Sequence, residues 1–184
     1  MSNVQILNNL SKWRQRLEAQ NIDPDSRLLW VDVGSQKLYI CEVGRVIEQY
    51  PVSTALRGTG CDEDSLQTPV GLHRVSEKIG DAAESGMIFK GRQATGELVE
   101  IEPVDRETGF DHITSRILWL SGMQPGINQG TGVDSHDRFI YIHGTNEEGR
   151  IGQPVSHGCI RLRNADVVTL FAQVEEGTAV IIDG

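Results

Sequence analysis

The first hydrophobic stripe along the chain is helical. Ile6, Leu10, Trp13 and Leu17 recur at intervals of four, three and four residues with charged positions between them. That spacing lines one face of an α-helix, and Pro24 marks a point the helix cannot pass. From Arg27 the period shortens. The runs LLWVDVG, QKLYICEVG, RVIEQYPVSTA, RILWLSG, RFIYIHG and TAVIIDG are short and rich in β-branched and aromatic residues, which predicts strands. Gly34-Ser35 and Val43-Gly44 fall where tight connections belong, so the first three strands are expected as a meander. Between Gly80 and Gly109 the period fades, and a ribbon or an ordered loop flanking a site is expected there. A final helix is predicted over NADVVTLFAQV, Asn164 to Val174, with Asn164 as its cap. The result is a mostly β domain over residues 25–184, with a helix late in the chain and a helical appendage over residues 1–24.

The chain has 184 residues, enough to bury a core without disulfides, and a formal net charge of -9. Long-range repulsion makes it a poor ligand for phosphate backbones or anionic membranes, so nucleic acid is not an expected partner. No apolar run is long enough to span a bilayer, so membrane insertion is not expected either. The first twenty residues hold Lys12, Arg14, Arg16 and Glu18 and no continuous apolar segment, unlike a secretory signal. The expected location is therefore the cytoplasm, or the periplasm or wall if a leader has been removed.

Three cysteines, at 41, 61 and 159, match neither a zinc framework nor a CxxC redox pair, and at least one free thiol is expected. Thiolate is the reactive form, and positive neighbours favour it. Cys61 sits among Asp62, Glu63 and Asp64, and Cys41 in an apolar strand run that predicts burial. Cys159 has His157, Arg161 and Arg163 around it, which ranks it first as nucleophile. A cysteine nucleophile needs a base, and His143 ends the apolar run Phe139 to Ile142. Gly158 lets a substrate approach the backbone, and the amides of His157, Gly158 and Cys159 are candidate oxyanion donors. The alternative reading of His157 is structural, holding the loop through its side chain. A His-x-Cys pair with a distant histidine is not a common zinc spacing, so neither metal nor cofactor is expected. His73, His112 and His136 are expected on the solvated surface. Trp30, Trp119 and Tyr141 occur in apolar runs, where core packing is the usual role.

His143-Gly144-Thr145-Asn146 followed by Ser156-His157-Gly158-Cys159-Ile160-Arg161-Leu162 resembles the active-site signature of YkuD-type L,D-transpeptidases. Thr68-Pro69-Val70-Gly71 resembles a further segment of that family. The resemblance runs from about Leu28 to Asp183. It implies a β-sandwich-like catalytic domain, a thioacyl intermediate on Cys159, His143 as base and the Gly144 carbonyl as its orienting acceptor. Ser156, His157 and Gly158 would form the catalytic loop, while Arg161 and Tyr141 would face the substrate, Arg161 holding a carboxylate. Implied partners are peptidoglycan stem peptides or soluble muropeptides, and carbapenem-type inhibitors. In the cytoplasm polymeric acceptor strands are missing, so water is the expected acceptor and L,D-carboxypeptidase the expected activity. The alternatives are transfer to an amine and a non-catalytic peptide-binding module.

Overall fold

The computed structural model describes residues 3–184, with side chains from Ser11 onward. Helix α1 spans Asn3–Ala19. Of its predicted stripe, Trp13 and Leu17 are buried, whereas the side chains of Ile6 and Leu10 lie outside the described residues. The strands are β1 (Leu28–Asp32), β2 (Lys37–Glu42), β3 (Arg45–Pro51), β4 (Gly71–Ile79), β5 (Met87–Lys90), β6 (Gln93–Leu98), β7 (Ile113–Gly122), β8 (Tyr141–Gly144), β9 (Ile160–Leu162) and β10 (Ala179–Asp183). Helix α2, Asn164–Gln173, lies between the last two. All six predicted runs are strands, and the fold is mostly β, with one sheet ordered β3-β2-β1-β10-β4-β7-β5-β6 and β8 and β9 branching from β7.

The meander forms as expected: β1, β2 and β3 pair antiparallel. The β2 to β3 turn is Val43-Gly44, with φ of 50° and 64°, the twist that suits a two-residue hairpin connection. The segment of weak periodicity contains the β5–β6 hairpin, followed by a loop over residues 99–112. One face of β6 cannot be told from the other by burial, because all six of its residues are exposed. A ribbon without a buried face has no period-two signal to read.

The principal core draws on both halves of the sheet and on α2. Leu29, Val31, Leu38, Val180 and Ile182 share it with Leu118, Leu120, Ile142, Ile160, Leu162, Leu170 and Phe171. On the opposite face α1 contributes Trp13 and Leu17 to a second cluster with Leu28, Trp30, Tyr39, Cys41 and Ile181. A third cluster, Phe89, Ile117, Trp119 and Tyr141, packs against Cys159. Thus the sheet's interior supplies rigidity, and the outer face of β7 and β8 packs against the cysteine that leads into β9.

Two local expectations are corrected. Asn164 is the first residue of α2 and not its cap; the cap position is Arg163, which makes no side-chain cap bond. The Glu148 carboxylate instead accepts from the Asn164 N–H at 2.8 Å, a negative group at the positive end of the helix. The Asn164 side chain joins Thr145 O, Thr114 and Ser115, stitching α2 to β7 and β8.

His73 is fully buried, not solvated, because β4 pairs on both sides with β10 and β7. Its Nδ1 meets Gly71 O at 3.1 Å and its Nε2 meets Ser135 Oγ at 2.9 Å. Burial pushes this imidazole down to about 4, from an ordinary 6.5. The unfolded chain therefore binds a proton that the fold refuses. The stabilisation is intact above pH 6.5 and is lost as pH falls from there through about 4, a contribution of about 3 kcal/mol. Chemical denaturation of His73→Gln should show a shallower fall in stability between pH 7 and 4 than the parent; parallel curves would contradict this.

Candidate active site

Strands β8 and β9 run parallel, with Ile142 opposite Ile160, His143 opposite Arg161 and Gly144 opposite Leu162. Side chains alternate faces along a strand. Ile142, Ile160 and Leu162 point into the core, so Tyr141, His143, Cys159 and Arg161 project from the other face. With strands about 4.8 Å apart and a rise of about 3.3 Å per residue, the diagonal from Cys159 to His143 is short enough for an imidazole to cross. The three-residue β9 was not legible as a strand, and it supplies the register.

His143 is buried, and its Nδ1 lies 2.7 Å from the Gly144 carbonyl. A carbonyl only accepts, so Nδ1 carries the proton and Nε2 keeps the basic lone pair. Burial holds the imidazole below its ordinary value, against the opposing influence of Asp111 and the Gly144 carbonyl.

Cys159 is partly buried. Its Sγ accepts from the Tyr141 N–H at 3.3 Å and donates to the Phe139 carbonyl at 3.4 Å. Phe139 holds φ at 55°, a conformation few side chains adopt, and its carbonyl is the acceptor for the thiol. Burial pushes this thiol up to about 12, although the Tyr141 amide, Arg161 and Arg138 favour the thiolate. The cationic setting read from the sequence is therefore outweighed by desolvation. Among the described residues no hydrogen bond joins Cys159 to His143, and burial favours the neutral form of both groups.

The loop before Cys159 is braced from within. Ser156 Oγ donates to Cys159 O at 2.6 Å and accepts from Gly158 N at 3.3 Å. Thr68 Oγ1 donates to Gly158 O at 2.9 Å while accepting from Ala55 N. The Thr-Pro-Val-Gly segment thus pins the cysteine loop directly. Gly158 holds φ at 132°, where an L side chain is strained. Its N–H faces Ser156, which leaves the amides of His157 and Cys159 as the oxyanion candidates. His157 is exposed, and its Nδ1 lies 3.4 Å from Asp111 Oδ2.

Arg161 departs from expectation. It is buried, donates from one terminal nitrogen to Asp111 at 2.7 Å and Glu147 at 3.2 Å, and reaches Ser53 Oγ at 3.4 Å. Two protein carboxylates occupy the fork assigned to a substrate carboxylate. Burial works against the Asp111 charge, but Arg161 and His143 hold its carboxyl below the ordinary range. Tyr141 is buried too, edge-on to Trp119 with its hydroxyl 3.3 Å from Arg92. Asp111, Glu147, Arg92 and Arg138 were all missed: the first three stand in aperiodic stretches that carry no spacing signal, and Arg138 reads only as the polar start of the strand run RFIYIHG. One cleft runs past Asp111, Glu147, Arg150 and His157, and another past Asp64, Arg138, Phe139 and His157, so the two adjoin at His157.

Residues 26–182 match the family model of the YkuD L,D-transpeptidase catalytic domain. The chain belongs to that family. An Escherichia coli K12 protein named "Probable L,D-transpeptidase YcfS" is 58% identical over 153 residues, which is 83% of this chain and 42% of that protein. The chain thus spans about two-fifths of the length of that curated relative. The fold resembles L,D-transpeptidase 3 of Mycobacterium tuberculosis, solved with a faropenem-derived adduct, at a TM-score of 0.52 and 19% identity, covering 86% of this chain and 60% of that one. It also resembles the L,D-transpeptidase LdtMt1 solved with imipenem, at 0.51 and 17%, covering 86% and 59%. This L,D-transpeptidase domain is therefore of a cysteine-dependent enzyme class, and its strand scaffold is the family's.

Proposed function

We propose that the domain cleaves the L-D peptide bond before the terminal D-alanine of peptidoglycan tetrapeptides through a thioacyl-enzyme on Cys159. The observation carrying this is the β8–β9 register, which sets Cys159 and His143 diagonally on one face with the His143 basic nitrogen unengaged by Gly144. The Cys159 proton, resting on Phe139 O, passes to His143 Nε2 as sulfur attacks the carbonyl carbon. Amides of His157 and Cys159 receive the developing oxyanion. Protonated His143 then gives its proton to the departing D-alanine amine, and the acyl group stays on sulfur.

The acceptor decides the outcome. Water releases a tripeptide and makes the domain an L,D-carboxypeptidase, the favoured result where soluble muropeptides are the substrate. The name of the E. coli relative and the adjoining clefts at His157 support a second reading, transfer to an amine. Incubation with a disaccharide-tetrapeptide, with and without an added D-amino acid, separates them by mass: loss of one alanine signals hydrolysis, and exchange signals transfer. An unchanged mass in both would remove the proposal and leave a binding module.

A further inference from the structure

The β5–β6 hairpin turns through Gly91 and Arg92, with φ of 55° and 67°, and this turn places Arg92 at the tip. The guanidinium reaches over the outer face of the sheet. Its carbon lies 4.5 Å from the Trp119 ring centre and 5.3 Å from that of Phe139, and one terminal nitrogen donates to Tyr141 Oη at 3.3 Å. Tyr141 also gives its N–H to Cys159 Sγ, and Phe139 gives its carbonyl to the thiol. Arg92 therefore stands one tyrosine side chain from the nucleophile.

Arg161 and Arg138, whose charges act on Cys159, are committed. Arg161 holds Asp111 and Glu147. Arg138 binds Gly60 O, Cys61 O, Ser65 Oγ and Gln67 O, tying two loops together. Arg150 pairs with Glu147 and Asp105. Among the described residues, Arg92 has no carboxylate partner, and its side chain makes one hydrogen bond although a guanidinium carries five N–H donors. On a chain of net charge -9 an anionic substrate needs a local cation to offset the general repulsion. A fork already held over two adjoining aromatic rings loses little freedom on binding one.

We infer that Arg92 recognises a carboxylate of the acyl-donor peptide beside Cys159, the role that the family resemblance implies for Arg161. This rests on the tetrapeptide reading above. Two carboxylates qualify, that of the diamino acid side chain and that of the terminal D-alanine. The test compares the parent, Arg92→Gln and Arg92→Lys on the free tetrapeptide, on one with the diamino acid carboxamide, and on one ending in D-alaninamide. Arg92→Gln should raise KM about 10- to 100-fold on the free substrate with kcat within about threefold. Arg92→Lys should recover part of the loss. On the substrate amidated at the recognised position, parent and Arg92→Gln should become equal, which names the carboxylate. Alkylation of Cys159 by neutral iodoacetamide, read by peptide mass, should stay unchanged and certify the nucleophile. Equal loss on all three substrates, or no loss on any, overturns the assignment. Failure of the parent on every substrate overturns the tetrapeptide reading, and the assignment with it.

Discussion

Cys159→Ala is expected to form no covalent adduct with tetrapeptide or with imipenem and to turn over at background, whereas His143→Ala should retain measurable acylation, reduced about 10²- to 10⁴-fold. The difference follows from the resting chemistry. In the proposed mechanism sulfur forms the bond that holds the acyl group, so no neighbour replaces it. His143 only moves a proton, and water or a higher pH partly substitutes. With the Cys159 thiol pushed up to about 12 and His143 held below its ordinary 6.5, a neutral pair is expected at pH 7. Two consequences for pH follow. Activity should need His143 unprotonated, so its acid limb lies below pH 6.5 and the rate is lost as pH falls through that range. Iodoacetamide alkylation of the free enzyme should keep rising from pH 7 to 10 without a plateau, as the thiolate fraction grows. A plateau near pH 7 would reveal a preformed thiolate–imidazolium pair and refute the neutral resting state.

Much of the fold was legible because its strands obey simple rules. β1, β2, β7 and β10 are buried along most of their length and read as continuous apolar runs. Cys159 was singled out through its histidine and glycine neighbours, and the cationic setting read from them is not what governs its thiol. Proximity in sequence suggested that His157 and Arg163 would promote ionisation, yet Arg163 is exposed and the balance at Cys159 is set by burial. Asp111 was invisible because it precedes Cys159 by 48 positions in an aperiodic loop and meets the site only in three dimensions, through Arg161 and His157. β9 was hidden by its length. A three-residue strand shows no alternation, and its register with β8 is a tertiary fact.

Arg161→Ala tests what the ion cluster does. The parent buries one guanidinium between Glu147, itself buried, and Asp111, which anchors the loop over residues 99–112. That loop is tied to the same place by Thr108, whose N–H and hydroxyl both donate to Glu147 Oε1, at 2.7 Å and 3.0 Å. Removing the cation strands the buried Glu147 carboxylate beside Asp111, whose side chain is a quarter exposed, and breaking a buried pair costs about 3 to 5 kcal/mol. Glu147 keeps Thr108 and Arg150, so the lower figure is expected, a fall in Tm of roughly 6 to 12 °C for a chain of this size. Loss of the Asp111 anchor should also expose the loop, with faster proteolytic cleavage between residues 99 and 112 than elsewhere. Adding Glu147→Gln to Arg161→Ala should return part of the stability, since it removes one stranded charge. A carboxylate-binding residue would behave in the opposite way: KM would rise while Tm and loop cleavage stayed at parental values, and that pattern would return Arg161 to the substrate.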